Sequence, residues 1–168
     1  MDLSVNLGSL SLVNPIIAAS GTFGYGLEYR SLVDLNVLGG FSTKGLSLQP
    51  KTGNSVPRVI ETSSGMLNAI GLENIGLKAF LSEKLPQLEN LNTRIIVNFF
   101  GDTRQEYVEM AEALSDVERL DALEMNVSCP NVEKGGLQFS SDPEVLTEVI
   151  SSVRKVTQKF LIVKLSPN

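Results

Sequence analysis

Histidine is absent from the 168 residues, and cysteine occurs once, at position 129. Without histidine there can be no Ser-His-Asp triad, Cys-His dyad or histidine metal site. A single cysteine excludes an internal disulfide and a cysteine-rich metal cluster, so no metal site is expected. Basic runs are also lacking. The balance of 14 Lys+Arg against 19 Asp+Glu leaves a net charge of −5, which argues against nucleic-acid and anionic-membrane partners. No apolar stretch approaches the roughly 18 residues of a membrane span. The opening MDLSVNLGSL has neither the basic segment nor the long apolar core of a secretory leader. These absences lead to the expectation of a soluble protein of a reducing compartment, the cytoplasm. The hydrophobic fraction of 42%, in a chain of about one domain's length, is enough to build a sizeable core.

The residues that are present read as strands alternating with helices. Residues 3–13 alternate apolar and polar around Gly8-Ser9, the signature of a hairpin. Residues 14–19 form a short apolar run closed by Ser20-Gly21-Thr22-Phe23-Gly24, suited to a strand buried on both faces. Tyr29, Leu32, Val33 and Leu35 fall at helical spacing, and residues 39–43 read as a strand that delivers Lys44. Residues 45–72 are rich in Gly, Ser, Asn and Pro, with a small strand expected at 57–62. Beyond them the alternation is regular. Helix marked by Leu77, Phe80, Leu81 and Leu85 precedes a strand at 94–99. Asp102 with Gln105 reads as a capping box opening the next helix, and residues 122–127 form the strand after it. Ser141-Asp142-Pro143-Glu144 opens a further helix, followed by a strand at 160–165.

Such alternation implies an α/β fold with a parallel sheet, either doubly wound or a β/α barrel. The polar residues favour the barrel. Successive apolar strands end in Ser20, Lys44, Asn98, Asn126 and Lys164, and a barrel builds its active site at that end from several strands. The glycines of residues 20–26 lack the spacing of a dinucleotide fingerprint. A complete eight-stranded barrel takes roughly 250 residues. The expected fold is therefore the N-terminal portion of a TIM-type (β/α)8 barrel, about five strands preceded by a β-hairpin.

Three groups of residues stand out for chemistry. Cys129 sits in Glu124-Met125-Asn126-Val127-Ser128-Cys129-Pro130-Asn131. A lone intracellular cysteine is usually a small buried hydrophobe. Here, however, a loop of polar neighbours at a catalytic rim suits a thiol that exchanges protons. Lys44 and Lys164 end apolar strands; they form either structural ion pairs, with Glu124 as a partner, or a cationic ring around an anionic ligand, flavin ring or substrate carboxylate. Residues 62–74, with apolar and amide side chains among glycines, are either a surface turn or a close wall around a flat ligand.

The blocks NPIIAASGTFGYG (14–26), STKGLSLQPKTGN (42–54), PRVIETSSGMLNAIGLEN (57–74), EMNVSCPNVEKGG (124–136) and IVKLSPN (162–168) resemble the cytosolic class 1 dihydroorotate dehydrogenases over essentially the whole chain. NVEKGG and KLSPN resemble the NAD-linked class 1B subgroup rather than the fumarate-using class 1A. The resemblance implies an FMN-containing oxidoreductase converting (S)-dihydroorotate to orotate in pyrimidine biosynthesis. It also implies a heterotetramer with a separate iron–sulfur, FAD-containing electron-transfer subunit that passes electrons to NAD. One cysteine cannot ligate that cluster. Carried over by position, Cys129 is the active-site base. Ser20, Lys44, Gly45, Asn98, Asn126 and Lys164 match FMN contacts. Lys44, Asn68, Ala69, Ile70, Gly71, Leu72, Asn126 and Asn131 match substrate contacts.

The family barrel continues past the fifth strand. Residues 1–168 are thus expected to be a single, C-terminally incomplete FMN-binding domain without the segments that hold the FMN phosphate, and inactive alone. A related dihydropyrimidine-oxidising flavoprotein and a non-catalytic half-barrel remain as alternatives.

Overall fold

The computed structural model describes residues 1–128 and 142–166. Its first element is an antiparallel hairpin of β1 (Val5–Leu7) and β2 (Leu10–Leu12). Then come β3 (Ile17–Ala18) and β4 (Gly40–Ser42), and a second hairpin of β5 (Val59–Thr62) and β6 (Gly65–Asn68). Helix α1 (Gly76–Ala79) runs on through a wider π turn at Phe80–Lys84 and a 3-10 turn at Leu85–Leu88 that has Pro86 near its start. The remainder alternates: β7 (Arg94–Phe99), α2 (Arg104–Ser115), β8 (Ala122–Asn126), α3 (Pro143–Val156) and β9 (Phe160–Lys164).

Five strands pair in parallel in the order β3-β4-β7-β8-β9, which is chain order. A doubly wound sheet reverses direction at a switch point; this sheet does not, and it agrees with the arc of a β/α barrel.

Side chains on a strand alternate between faces, and that alternation sorts the core. On one face Phe41, Ile95, Val97, Phe99, Leu123 and Met125 pack with Tyr107, Met110, Ala111 and Leu114 of α2 and Val149 and Val153 of α3. The other face carries Ile96 and Ala122, covered by Leu10 and Leu12 of the first hairpin, with Ile17, Phe160 and Ile162 against them. Ser42 stands level with Ile96, and further along that second face, toward the C-terminal strand ends, come Asn98, Glu124, Asn126 and Lys164. The hairpin therefore stoppers one end of the concave face with apolar groups and leaves the polar end open.

Local signals explain where the helices begin. Asp142 accepts from the backbone N–H groups of Glu144 and Val145, as the sequence predicts for α3. At α2 the cap lies one residue later than predicted. Thr103 accepts from the Glu106 N–H, and Glu106 returns to the Asp102 N–H at 2.6 Å. Threonine bonds its own third residue while Asp102 is spent outside the helix. The helical spacing at Tyr29–Leu35 is not realised as a helix; only 3-10 turns form at Leu27–Tyr29 and Leu35–Val37. There Asp34 caps the second turn by accepting from the Asn36 N–H, which fixes a turn in place of continuous helix. Among the described residues no helix is long and apolar enough to cross a membrane.

Leu12 is 2% exposed and closes the apolar end of the concave face. Leu12→Ala is expected to lower the unfolding free energy by about 2–5 kcal/mol, measured by chemical denaturation of the purified chain. A loss under about 0.5 kcal/mol would show that the hairpin is not part of the core.

Candidate functional site

A cleft of about 670 Å³ opens at the C-terminal strand ends, lined among others by Ser20, Lys44, Gly45, Asn98, Asn126 and Lys164. All six residues matched to FMN contacts thus meet in one place. The loop after β3 braces itself against collapse into the space. Thr22 Oγ1 donates to Ala19 O at 2.8 Å, Tyr29 Oη to Thr22 O at 3.0 Å, and the Phe23 and Tyr29 rings stack 4.7 Å apart. Gly26 is required there: its φ is +86°, and an added Cβ would stand 2.8 Å from the Phe41 ring. The Lys44 N–H donates to Gly24 O at 2.6 Å, which ties this loop to the end of β4. Behind it Tyr25 Oη accepts from the Ile75 N–H, and burial pushes the phenol's pKa up, so it stays neutral.

The polar wall has a definite chemistry. Asn98 is fully buried in β7; its Nδ2 donates to Glu124 Oε1 at 2.5 Å, and the same oxygen accepts from Ser42 Oγ at 3.0 Å. Among the described residues Asn98 Oδ1 has no hydrogen-bond partner. Asn126 Oδ1 is occupied by the Ser128 N–H and Oγ, at 3.1 and 2.6 Å. Its backbone carbonyl accepts from Tyr107 Oη at 2.7 Å, which anchors the end of β8 to α2. Lys164 pairs with Asn126 in register across β8 and β9.

Glu124, expected as the ion-pair partner of the strand-end lysines, is engaged instead by Ser42 and Asn98. Among the described residues Lys164 has no ion pair, and Lys44 lies 3.7 Å from Glu73. Glu73 is held at 2.5 Å by Arg58, whose other amino group reaches the carbonyls of Thr52 and Asn54. A half-exposed pair of this kind adds little stability, but it fixes where the Lys44 cation sits.

The wall expected from residues 62–74 forms in part. Asn68, Ile70 and Leu72 line the cleft, with Glu73 beside them. Ala69 and Gly71 are not among the lining residues: the Ala69 N–H donates to Arg58 O, and Gly71 backs onto Asn54. Leu72 adopts φ +57°, a conformation unusual for a branched apolar side chain. Buried Asn74 holds this turn by donating to Leu72 O and Ser47 Oγ and accepting from the Gly76 N–H. Cys129 and Asn131 lie outside the described residues.

Sequence reasoning left residues 62–74 as a surface turn or a ligand wall and so missed strand β6, and it did not name Glu28, Tyr29 and Thr22 as lining residues. The Glu28 side chain also accepts from the Tyr25 N–H at 2.9 Å. The acid at Glu28, three residues after Tyr25, was the available signal; Gly65-Met66-Leu67-Asn68 does not alternate.

The family model for dihydroorotate dehydrogenase matches residues 2–168. The chain belongs to the dihydroorotate dehydrogenase family. It is 54% identical over 167 residues to the catalytic subunit of dihydroorotate dehydrogenase B (NAD(+)) from Pelobacter propionicus, covering 99% of this chain and 55% of that protein. The same subunit from Thermodesulfovibrio yellowstonii is 57% identical over 165 residues, with 98% and 54% covered. A crystal structure of DHODH in complex with ferulenol from Eimeria tenella has the same fold, with a TM-score of 0.74 at 20% identity over 99% of this chain and 53% of that one. The chain thus spans about half the length of the relatives it matches, and the similarity places it with the N-terminal part of the class 1B dihydroorotate dehydrogenases.

Gly45 leaves room that a side chain would fill. An added Cβ would come within 2.8 Å of Asn98 Oδ1 and 3.3 Å of the Phe100 ring. Gly45→Ala in this chain is expected to cost about 1–3 kcal/mol. Gly65→Ala, whose Cβ meets nothing closer than 4.0 Å, should stay within about 0.5 kcal/mol. Equal effects in thermal unfolding would contradict the packing assigned to Gly45.

Proposed function

We propose that these residues are the N-terminal part of a flavin-dependent enzyme that oxidises (S)-dihydroorotate to orotate, with FMN as the flavin. The observation that carries this reading is the convergence of Ser20, Lys44, Asn98, Asn126 and Lys164, from five successive strand ends, on one cleft of a chain of this family.

The residues fit such a ring. A buried oxygen at Asn98 with no donor among the described residues, a missing side chain at Gly45 and a cation at Lys164 suit a flat group with polar edges and delocalised negative charge. Ser20, Gly45, Asn98, Asn126 and Lys164 would hold it, and Lys44, Asn68, Ile70 and Leu72 would bound the substrate beside it. FMN, when bound, supplies the hydride acceptor. The protein's share is orientation and proton management. Lys44 offsets the substrate carboxylate's charge. Asn126, its oxygen taken by Ser128, has its amide N–H groups left for the substrate. Cys129 follows Asn126 by three residues in sequence and takes the role of base. It removes the proton from the carbon next to the ring carbonyl, while the hydride departs from the adjacent carbon that bears the carboxylate.

The remaining strands of the barrel, absent from these residues, would add the phosphate-binding segments. An iron–sulfur, FAD-containing subunit would carry electrons on to NAD, in the cytoplasm; the "catalytic subunit" in the relatives' names supports a separate electron-transfer partner.

In the complete subunit, dihydroorotate added without oxygen should bleach the flavin. Cys129→Ala should keep the flavin bound and slow bleaching by about 10² to 10⁴, followed by stopped-flow absorbance. Near-wild-type bleaching at every pH would remove Cys129 from the chemistry. Bleaching by a dihydrouracil but not by dihydroorotate would move the enzyme to the related dihydropyrimidine-oxidising class.

A further inference from the structure

The contact between Asn98 and Glu124 fixes more than strand spacing. A carboxylate oxygen accepts hydrogen bonds and offers none in return. Glu124 Oε1, 2.5 Å from the Asn98 amide, can therefore be faced only by the Nδ2 end; turning the amide over would set two oxygens against each other. The orientation of Asn98 is thus imposed by Glu124. Its consequence is Asn98 Oδ1, which is buried and has no donor among the described residues. A buried carbonyl oxygen of this kind is rare and costly unless something supplies its partner. Asn98 lines the cleft, and so does Gly45, the residue with no side chain that sits beside this oxygen.

We propose that Glu124 is a positioning residue that holds Asn98 with its oxygen turned to receive a ring N–H of the molecule bound in the cleft. An imide-type N–H is the matching chemistry, and both a flavin and a pyrimidine carry one. The flavin is the one we assign, because Asn98 lies on β7 among the residues matched to FMN, whereas the substrate wall is made by 68–72. This assignment rests on the flavin reading above.

A merely structural tie would behave differently. Ser42 bonds the same carboxylate oxygen from β4, so Ser42→Ala removes one cross-strand bond and leaves the Asn98 amide oriented. Glu124→Gln keeps an oxygen able to accept from Asn98 and Ser42 without the charge. Glu124→Ala removes the acceptor and frees the amide to turn.

The test uses the complete subunit, with FMN affinity read by quenching of flavin fluorescence, the visible spectrum of the bound flavin, and melting temperature recorded in parallel. Glu124→Ala is expected to weaken FMN binding about tenfold or more and shift the flavin bands. Glu124→Gln should recover most of both, and Ser42→Ala should lower the melting temperature with the affinity and bands unchanged. Weakening of orotate binding to FMN-loaded enzyme, with FMN affinity intact, would keep the positioning role but overturn the assignment to flavin. Unchanged affinity for both ligands in a folded Glu124→Ala protein would overturn the role itself. So would Ser42→Ala matching Glu124→Ala in every readout, since that is the behaviour of a structural tie. A wild-type subunit that binds no FMN would overturn the flavin reading together with this proposal. Should Glu124→Ala fail to fold, Glu124→Gln decides: FMN affinity as poor as that of Asn98→Ala would count against the role.

Discussion

Everything about this site follows from a strand turning its side chains to alternate faces. In β7 that rule sends Ile95, Val97 and Phe99 to the helices and Ile96 and Asn98 to the opposite side. In β8 it sends Leu123 and Met125 one way and Ala122, Glu124 and Asn126 the other. Because the strands lie parallel and in register, like positions form layers across the sheet. The apolar layer receives Leu10 and Leu12 of the first hairpin, Asn98 and Glu124 form the next layer, to which Ser42 reaches up from beside Ile96, and Asn126 and Lys164 stand beyond them. A one-residue slip of β7 or β8 would send the polar groups into the helix-packed core and the apolar ones into the cleft.

This layering separates stability from chemistry. Burial against helices and hairpin supplies the hydrophobic contribution, while on the cleft side Ser42, Asn98 and Asn126 are buried polar residues and Glu124 is partly exposed. The two lysines at the rim are held differently. Lys44 is fixed by Glu73, itself clamped by Arg58, and Lys164 has no ion pair among the described residues. Neither lysine pairs with Glu124, whose carboxylate is taken by Ser42 and Asn98.

Much of this was legible in the residues. The short apolar runs that end at Asn98 and Asn126, and the Asp142-Pro143 start of α3, are local signals that tertiary contacts reinforce. Strand-end polar residues could be assigned to one rim because parallel β/α topology puts all C-terminal ends on the same side. What was not legible depends on partners distant in sequence. The choice of Glu124 for Ser42 and Asn98 over a lysine spans 82 and 26 residues and needs the register of three strands. The spacing at Tyr29–Leu35 imitates a helix, but the Asp34 cap and the stacking of Phe23 on Tyr29 favour short turns. The split of residues 68–72, with Asn68, Ile70 and Leu72 lining the cleft and Ala69 and Gly71 not, follows from hydrogen bonds to Arg58 and Asn54 that composition does not announce.

The central claim is that the cleft at the strand ends is a flavin site built on an oriented Asn98. Its most direct test is a crystal structure of the complete subunit with FMN and orotate. The account predicts the flavin ring against Asn98, Asn126 and Lys164, with a ring N–H on Asn98 Oδ1 and Glu124 still bonded to the other end of that amide. A flavin bound elsewhere, or an Asn98 amide turned away from Glu124, would contradict it.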